Sequence, residues 1–236
     1  MFFYDIHTLT APSVRAIIST MKNLILVDDH KMLRKGIASY ITENSDWKVG
    51  AEAENLADVK KITDSLYSCT PPHENSAEEN ITVAVVDLQL KGSEDEKFGG
   101  FEAVKELAAA GVPSIIFTSH DTGACIEQAM SAGVGAKGFV SKLSDEKMLL
   151  DAINAVAKGK TFIQPDLVTS FIETRSLLSM LTKRETQVVR LLQENLSNEE
   201  IADKMGIKIT TLENYLSIIY DKTGCRDKKT LIEKLR

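Results

Sequence analysis

Residues 23–30 read NLILVDDH, a short apolar run of strand character that ends on two adjacent carboxylates. The same design recurs down the chain. TVAVVDLQ at 82–89 ends on a carboxylate, SIIFTSH at 114–120 on hydroxyls, and KGFVSK at 137–142 on a serine and a lysine. Such runs, rich in β-branched residues and bounded by polar clusters, predict strands over Asn23–Val27, Trp47–Ala53, Thr82–Val86, Ser114–Phe117 and Lys137–Val140. Between them, 32–42, 57–66, 101–109, 124–131 and 147–157 carry apolar residues at three- and four-residue spacing, as amphipathic helices do. Five strand–helix units in alternation predict an α/β fold, an open doubly wound parallel sheet with helices on both faces. Two insertions carry no apolar period and read as loops: 69–80, with Pro71 and Pro72, and 91–100, with the charged run SEDEK.

Composition agrees with a globular chain. Of 236 residues, 43% are hydrophobic and 26% charged, enough apolar side chain for a core and too much for global disorder. No apolar run approaches the roughly 18 residues of a membrane span, so no membrane partner is expected. Cys69, Cys125 and Cys225 are odd in number and lack C-x-x-C spacing, which fits thiols of a reducing compartment rather than a disulfide frame or zinc site. A cytoplasmic location is expected. Residues 1–20 lack a basic start and a sustained apolar centre, and read as a tail or an over-long start ahead of Met21.

The net charge of −6 hides an asymmetry. From Leu177 onward the balance is +2, and before it −8. The pattern also changes after Gly159. A linker at 161–177 leads to three closely spaced helix starts, each a hydroxyl residue with Glu three positions later: Thr182/Glu185, Ser197/Glu200 and Thr210/Glu213. Each predicts a capping box, in which hydroxyl and carboxylate satisfy orphan N–H groups of the first helical turn. With a last helix at 228–235 they predict a small all-helical domain at 178–236, following an α/β domain at 21–160.

In open parallel sheets, ligands bind beyond the carboxyl ends of the strands. Asp28 and Asp29, Asp87, Thr118 and Ser119, and Ser141 and Lys142 all sit at such ends and should converge. Three carboxylates repel one another, and a hard divalent cation compensates; Mg2+ takes oxygen ligands and commonly bridges to phosphoryl oxygens. Lys142 would supply a point charge for a phosphate, and the Thr118 hydroxyl a hydrogen bond. The implied chemistry is phosphoryl transfer to a carboxylate. Each residue taken singly has a plainer explanation: Asp29 as a helix cap, Lys142 as a solvated charge, Phe139 as core. Order and spacing together favour the functional set.

With VDDH at 27–30, VVDLQ at 85–89, FTS at 117–119 and GFVSK at 138–142, the first domain resembles the receiver domain of bacterial two-component response regulators. The resemblance implies a flavodoxin-like five-stranded sheet of order 2-1-3-4-5. It makes Asp87 the phosphoacceptor, Asp28, Asp29 and Asp87 with the Gln89 carbonyl the Mg2+ site, Thr118 and Phe139 the switch residues, and Lys142 the phosphate partner. Gln89 and His120 occupy places that, by the same resemblance, influence in receivers how fast the acyl phosphate hydrolyses. A sensor histidine kinase is the implied donor, and self-dephosphorylation the most enzymatic activity expected. Two positions depart from the receiver pattern: Lys91 and Leu143 stand where prolines are usual.

The segment LTKRETQVVRLLQENLSNEEIADKMGIKITTLENYLSIIYDKTG at 181–224 resembles the LuxR-type helix-turn-helix of NarL/FixJ response regulators. The resemblance implies a four-helix unit binding double-stranded DNA, with 198–205 the first helix of the motif, Gly206 the turn and 210–222 the recognition helix. Leu212, Leu216, Ile219 and Tyr220 would face its core, and Glu213, Asn214 and Ser217 the bases. Thr210, Thr211, Lys208 and Lys222 would meet phosphates, with Lys204, Arg226, Lys228 and Lys229 as further cations. Glu213 stands where the family commonly has Lys, and Tyr215 where His is frequent. A basic excess of only +2 predicts modest nonspecific affinity and an active homodimer on two half-sites. Two other readings are a phosphorylation-responsive adaptor without DNA binding, and an aspartyl-phosphate phosphatase. The second is disfavoured because no second Asp follows Asp28 or Asp87 two residues on.

Overall fold

The computed structural model describes residues 21–68, 80–90, 99–194 and 196–235. Residues 1–20, Cys69, Lys91 and most of both insertions lie outside them. The first unit runs β1 (Lys22–Val27), α1 (Lys31–Asn44), β2 (Trp47–Ala53), α2 (Leu56–Ser68), β3 (Ile81–Val86), α3 (Gly99–Ala109), β4 (Ser114–Thr118), α4 (Gly123–Met130), β5 (Gly138–Ser141) and α5 (Glu146–Ala157). Every sheet pairing is parallel, in the order β2-β1-β3-β4-β5-β6. The sixth strand, β6 (Phe162–Ile163), corrects the expected five. It falls within the predicted linker, where the Phe162 and Gln164 N–H groups donate to the Lys137 and Phe139 carbonyls at 2.9 and 3.0 Å. The start of the linker is therefore part of the sheet. Two residues give no period-2 pattern, so the strand was invisible in the sequence.

Strand side chains alternate between two cores, as the pleat requires. Ile25, Val27, Ala84, Val86, Ile116 and Phe139 pack with α2, α3 and α4 on one face. Leu24, Leu26, Val83, Val85, Ile115 and Val140 pack with α1 and α5 on the other. Near-continuous apolar strands are what a sheet covered on both sides needs. At these fully buried positions, Leu or Ile to Ala substitutions cost about 2–5 kcal/mol. Gly50 is the one extra residue in the β1–β2 register, a bulge in the edge strand.

After a 3-10 turn at Pro165–Leu167, α6 (Val168–Ser179) leads into α7 (Lys183–Gln193), α8 (Asn198–Met205), α9 (Ile209–Thr223) and α10 (Lys228–Lys234). Val188, Val189, Leu192, Ile201, Leu212, Leu216, Ile219, Leu231 and Leu177 of α6 close one core, with Tyr220 half-buried at its edge. The capping boxes of Thr182/Glu185 and Ser197/Glu200 form as predicted. That of Thr210/Glu213 does not. The N-cap falls two residues earlier, at Lys208, with no side-chain cap, so Thr210 already lies within the first turn. Gly206 ends α8 at φ +64°, a left-handed conformation that L side chains rarely adopt, and so makes the turn of the motif.

The two units touch at the start of α4. The Ala124 N–H donates to the Leu235 carbonyl at 3.3 Å, and Arg190 of α7 lies 3.6 Å from Glu127. A Cβ at Gly123 would collide with the Ser170 carbonyl and the Thr174 hydroxyl of α6, so only glycine permits this approach.

Candidate functional site: a carboxylate pocket and an exposed helix face

Three strand ends are locked before any side chain reaches the pocket. The Asp28 N–H donates to Ala53 of β2 at 3.1 Å, the Asp87 N–H to Val27 of β1 at 2.8 Å, and the Lys142 N–H to Thr118 of β4 at 2.8 Å. Val27 and Val86 are register partners, which sets Asp28 beside Asp87. Lys142 reaches between them, its Nζ 2.7 Å from Asp28 Oδ2 and 2.7 Å from Asp87 Oδ2. The side chains of Asp28 and Asp87 are 6% and 3% exposed, and that of Lys142 16%. Ions this deep persist only when paired.

Burial pushes the Asp87 carboxyl above the usual carboxylate range; Asp28 adds to the rise, while Lys142 and the Gln89 N–H pull the other way. Burial alone would lower the Lys142 ammonium, but hydrogen bonds to Asp28 and Asp87 more than offset it and leave it above its ordinary value. Gly100, in the first turn of α3, passes so close to the Asp87 carbonyl that a Cβ there would overlap it. Only glycine fits at this position beside the strand end that carries Asp87.

The structure brings Asp28, Asp29, Asp87 and Lys142 together. Asp29 is not the helix cap, since that position belongs to His30. Thr118 is fully buried beside the pocket, its Oγ1 accepting from the His120 N–H at 3.2 Å. Phe139 lies wholly inside the core against the α4 side of the sheet. Gln89 is exposed at the strand end. The Lys142–Leu143 peptide is trans, as are all others among the described residues.

Several groups were missed. His30 Nδ1 lies 2.7 Å from Asp29 Oδ1 and 3.1 Å from Asp28 Oδ1. Arg34 is 3% exposed, holds the Asp28 carbonyl, and ties it to Glu54 and, at 2.9 Å, to Glu52. A cation on the apolar stripe Arg34, Ile37, Ile41 was the available signal. Buried Gln164 accepts the Ser141 N–H at 2.9 Å, and Ser141 Oγ donates to Asp121 at 2.8 Å, joining β6, β5 and the approach to α4. Nothing in the sequence marked Gln164.

On α9, Thr210, Thr211, Glu213, Asn214 and Ser217 are all exposed, with Lys208 exposed at the helix start. Lys222 is turned away: its Nζ sits 2.7 Å from buried Glu185 of α7, tying the end of α9 to the first turn of α7. Lys222 and the Thr182 N–H hold Glu185 below the usual carboxylate range. Lys204 pairs with Glu194 at 2.9 Å, and Lys228 Nζ donates to the Leu196 carbonyl at 2.8 Å.

These two sites correspond to two known families. Residues 24–154 match the response regulator receiver domain, and 179–235 match the bacterial regulatory proteins of the luxR family. The transcriptional regulatory protein UhpA of Salmonella typhimurium is 27% identical over 215 residues, 91% of this chain and 98% of its own. The nitrate/nitrite response regulator protein NarP of Escherichia coli is 27% identical over 219 residues, 89% and 92% of the two chains. Among solved structures, RcsB from Salmonella enterica serovar Typhimurium bound to a promoter shares the fold with TM-score 0.59 at 21% identity, covering 91% of this chain and 97% of its own. A LuxR-family response regulator from Aurantimonas superposes with TM-score 0.52 at 28% identity, over 66% of this chain and 99% of its own. Among the described residues no helix is long and apolar enough to cross a membrane. With both halves matched in this order, the chain belongs to the NarL/FixJ-type two-component response regulators, DNA-binding regulators of transcription that join a receiver to a LuxR-type helix-turn-helix.

Proposed function

We propose that Asp87 accepts a phosphoryl group from a sensor histidine kinase, and that this event governs DNA binding by α9. The observation that carries the reading is Lys142 Nζ at 2.7 Å from both Asp87 and Asp28, an ammonium already at the place where phosphoryl oxygens will need charge. The Asp87 carboxylate oxygen attacks phosphorus, the P–N bond to the kinase imidazole breaks, and the electron pair stays with the departing nitrogen. Lys142 then exchanges one carboxylate partner for a phosphoryl oxygen. Thr118, fully buried at the end of the neighbouring strand β4, is the hydroxyl that would follow that charge.

The donor set suits Mg2+: one ligand atom from each of Asp28, Asp29 and Asp87 lies within 4.8 Å of the others, and the Gln89 carbonyl belongs to the same strand end. Mg2+ held there supplies positive charge against the three carboxylates and the phosphoryl oxygens.

At the other end, Lys208 and the uncapped first turn of α9 with Thr210 and Thr211 are placed for phosphate contacts, and Glu213, Asn214 and Ser217 for base edges. Lys222 is assigned to Glu185, and so to holding α9 in place rather than to DNA. The small basic excess favours a homodimer as the active form, with the part of the 161–177 linker that follows Gln164 as the hinge between the units, in the cytoplasm.

The test is phosphoryl uptake from acetyl phosphate with Mg2+, for the wild type and Asp87→Asn, followed by selection of bound sequences from random DNA. Uptake by the wild type alone, with enrichment of a two-half-site sequence, is expected. Absence of uptake sinks the signalling reading; uptake without any enriched DNA transfers the output to a protein partner.

A further inference from the structure

We propose that Gln164 is a positioning residue that joins the phosphoryl pocket to the linker between the two units: its side chain holds the strand end that presents Lys142, and its main chain starts the turn into α6. The proposal rests on reading Asp87 as the phosphoacceptor.

One rung of the sheet is made by a side chain. In the β5–β6 ladder the Phe162 and Gln164 N–H groups donate to the Lys137 and Phe139 carbonyls, and the last donor from β5 is the Ser141 N–H. In a regular parallel ladder that N–H would meet the Gln164 carbonyl. Here the chain turns away at Pro165 into the 3-10 turn, and the Gln164 carbonyl accepts the Leu167 N–H instead, at 2.9 Å. The Gln164 side chain fills the gap: its Oε1 accepts the Ser141 N–H at 2.9 Å, with Gln164 7% and Ser141 1% exposed. A buried N–H without a partner is costly, so this amide oxygen has a task that an apolar side chain could not perform.

The bond lies between two places where a shift has consequences. On one side, Ser141 immediately precedes Lys142, whose N–H is tied to the Thr118 carbonyl at 2.8 Å and whose ammonium spans Asp28 and Asp87. Ser141 Oγ also donates to Asp121, the residue before the N-cap of α4. A phosphoryl group on Asp87 draws Lys142 from one of its carboxylates, and an adjustment of that strand end meets the linker at the Ser141–Gln164 bond.

On the other side, the linker is rooted in both units. Ile163, Leu167 and Phe171 pack against the receiver core that contains Phe139, whereas Leu177 and Leu178 pack in the core of the helix-turn-helix unit. The turn that Gln164 starts is where the linker leaves the sheet, and α6 carries its direction to the second core. Coupling between distant sites needs an element with two discrete arrangements. The rung supplies them: made, with the turn held against β5, or broken, with the turn released.

The test uses the full chain with acetyl phosphate and Mg2+, and amide hydrogen exchange resolved to single residues by nuclear magnetic resonance, scaled to the phosphorylated fraction from intact mass. In the wild type, phosphorylation should change exchange at Thr118 and Lys142 and also at Gln164, Leu167 and the first turns of α6. Gln164→Met keeps the length of the side chain and removes the acceptor. Before phosphorylation it should speed exchange of the Ser141 N–H about tenfold, the effect of losing one buried hydrogen bond. On phosphorylation the pocket should respond as before, while the response of the linker falls roughly fivefold. Gln164→Asn, whose amide is one methylene short of Ser141, should behave in the same way, and Gln164→Glu, which retains an acceptor oxygen, should restore the linker response. A linker that responds in the Met and Asn variants as in the wild type means that the rung serves the fold alone and overturns the proposal. Failure of Gln164→Glu to restore the response overturns it too, as does a wild type that is phosphorylated without any change in the linker. Absence of phosphoryl uptake by the wild type instead overturns the phosphoacceptor reading beneath it.

Discussion

The pocket at Asp87 and the outward face of α9 both carry charge, and they handle it in opposite ways. In the pocket, the carboxylates of Asp28 and Asp87 are taken from water and held against one ammonium by strands whose ends are fixed by backbone hydrogen bonds. On α9, the side chains stand in solvent, and the one cation expected to reach outward, Lys222, is drawn back to Glu185. Interactions in the pocket are strong because water is excluded and the geometry is fixed beforehand; those on α9 are weak until a polyanion arrives. Perturbations of the pocket should therefore register in stability, and those of the helix face in binding.

The largest stability effect is expected from Lys142→Met. It leaves Asp28 and Asp87 buried and facing each other, a change of the kind that costs about 3 kcal/mol. Chemical unfolding at neutral pH should report that loss, and the loss should shrink on acidification as Asp87 takes up a proton. A neutral-pH change below about 1 kcal/mol would place these acids effectively in water. Next comes Gly100→Ala. Its Cβ must displace the Asp87 carbonyl or the start of α3, at about 1–3 kcal/mol, the usual range for overpacking. Acetyl phosphate uptake should slow alongside the drop in unfolding midpoint. Normal uptake would show that the pocket tolerates movement of its central strand end.

Two carboxylates make the comparison titratable, with opposite signs. Asp87 sits above the usual range because of burial, so its contribution favours the fold below the ordinary carboxylate value and is lost as pH rises through the folded value. Phosphoryl uptake, which needs the ionised form, should fall on acidification with a midpoint above that of a free Asp, about 3.9. Glu185 is held low by Lys222 and the Thr182 N–H, so its contribution is full above the ordinary Glu value and lost as pH falls through the folded value. Glu185→Gln should cost about 1 kcal/mol at neutral pH, discounted for the 35% exposure of Lys222, and nothing in acid. Unfolding of Glu185→Gln and Asp87→Asn across pH checks the pair. The same sign for both would mean that the halves do not differ as described.

Legibility in the sequence followed the same divide. Asp28, Asp87, Thr118 and Lys142 could be read in advance because a parallel sheet sends all its strand ends to one edge, so position along the chain already implies convergence. Likewise the seven-residue strand Trp47–Ala53 and the helix Asn198–Met205 were placed correctly from pattern and caps. What failed depended on contacts distant in sequence. The two-residue strand β6 exists only because β5 offers it an edge. Gln164 and Arg34 matter through partners 23 and 18–20 residues away. The Thr210/Glu213 box failed for a local reason: with Lys208 at the N-cap, Glu213 lies beyond the reach of the first turn. That failure removes the structural explanation of Glu213 and leaves it exposed, which makes it the residue that most limits affinity for a polyanion.

Glu213→Lys tests that limit, and it has the smallest expected effect on stability. The side chain is solvent-exposed and makes no cap, so unfolding should change by no more than about 0.5 kcal/mol. DNA binding should change far more. The substitution removes a carboxylate that repels phosphates and adds a cation on the same outward turn as Asn214 and Ser217. One further phosphate contact per half-site steepens the dependence of log affinity on log salt by roughly 0.9, or about 1.8 for a dimer. Affinity at low salt should therefore rise on all sequences, while the preferred sequence gains little over the rest, because phosphates carry no sequence information. If instead Glu213 accepts a hydrogen bond from cytosine N4, the variant loses discrimination at one base position in each half-site, by about 1–3 kcal/mol. Salt titrations on a selected and a scrambled sequence separate these outcomes. A parallel rise on both identifies Glu213 as a brake on the helix face, and a selective loss on the preferred site identifies it as a reader of bases.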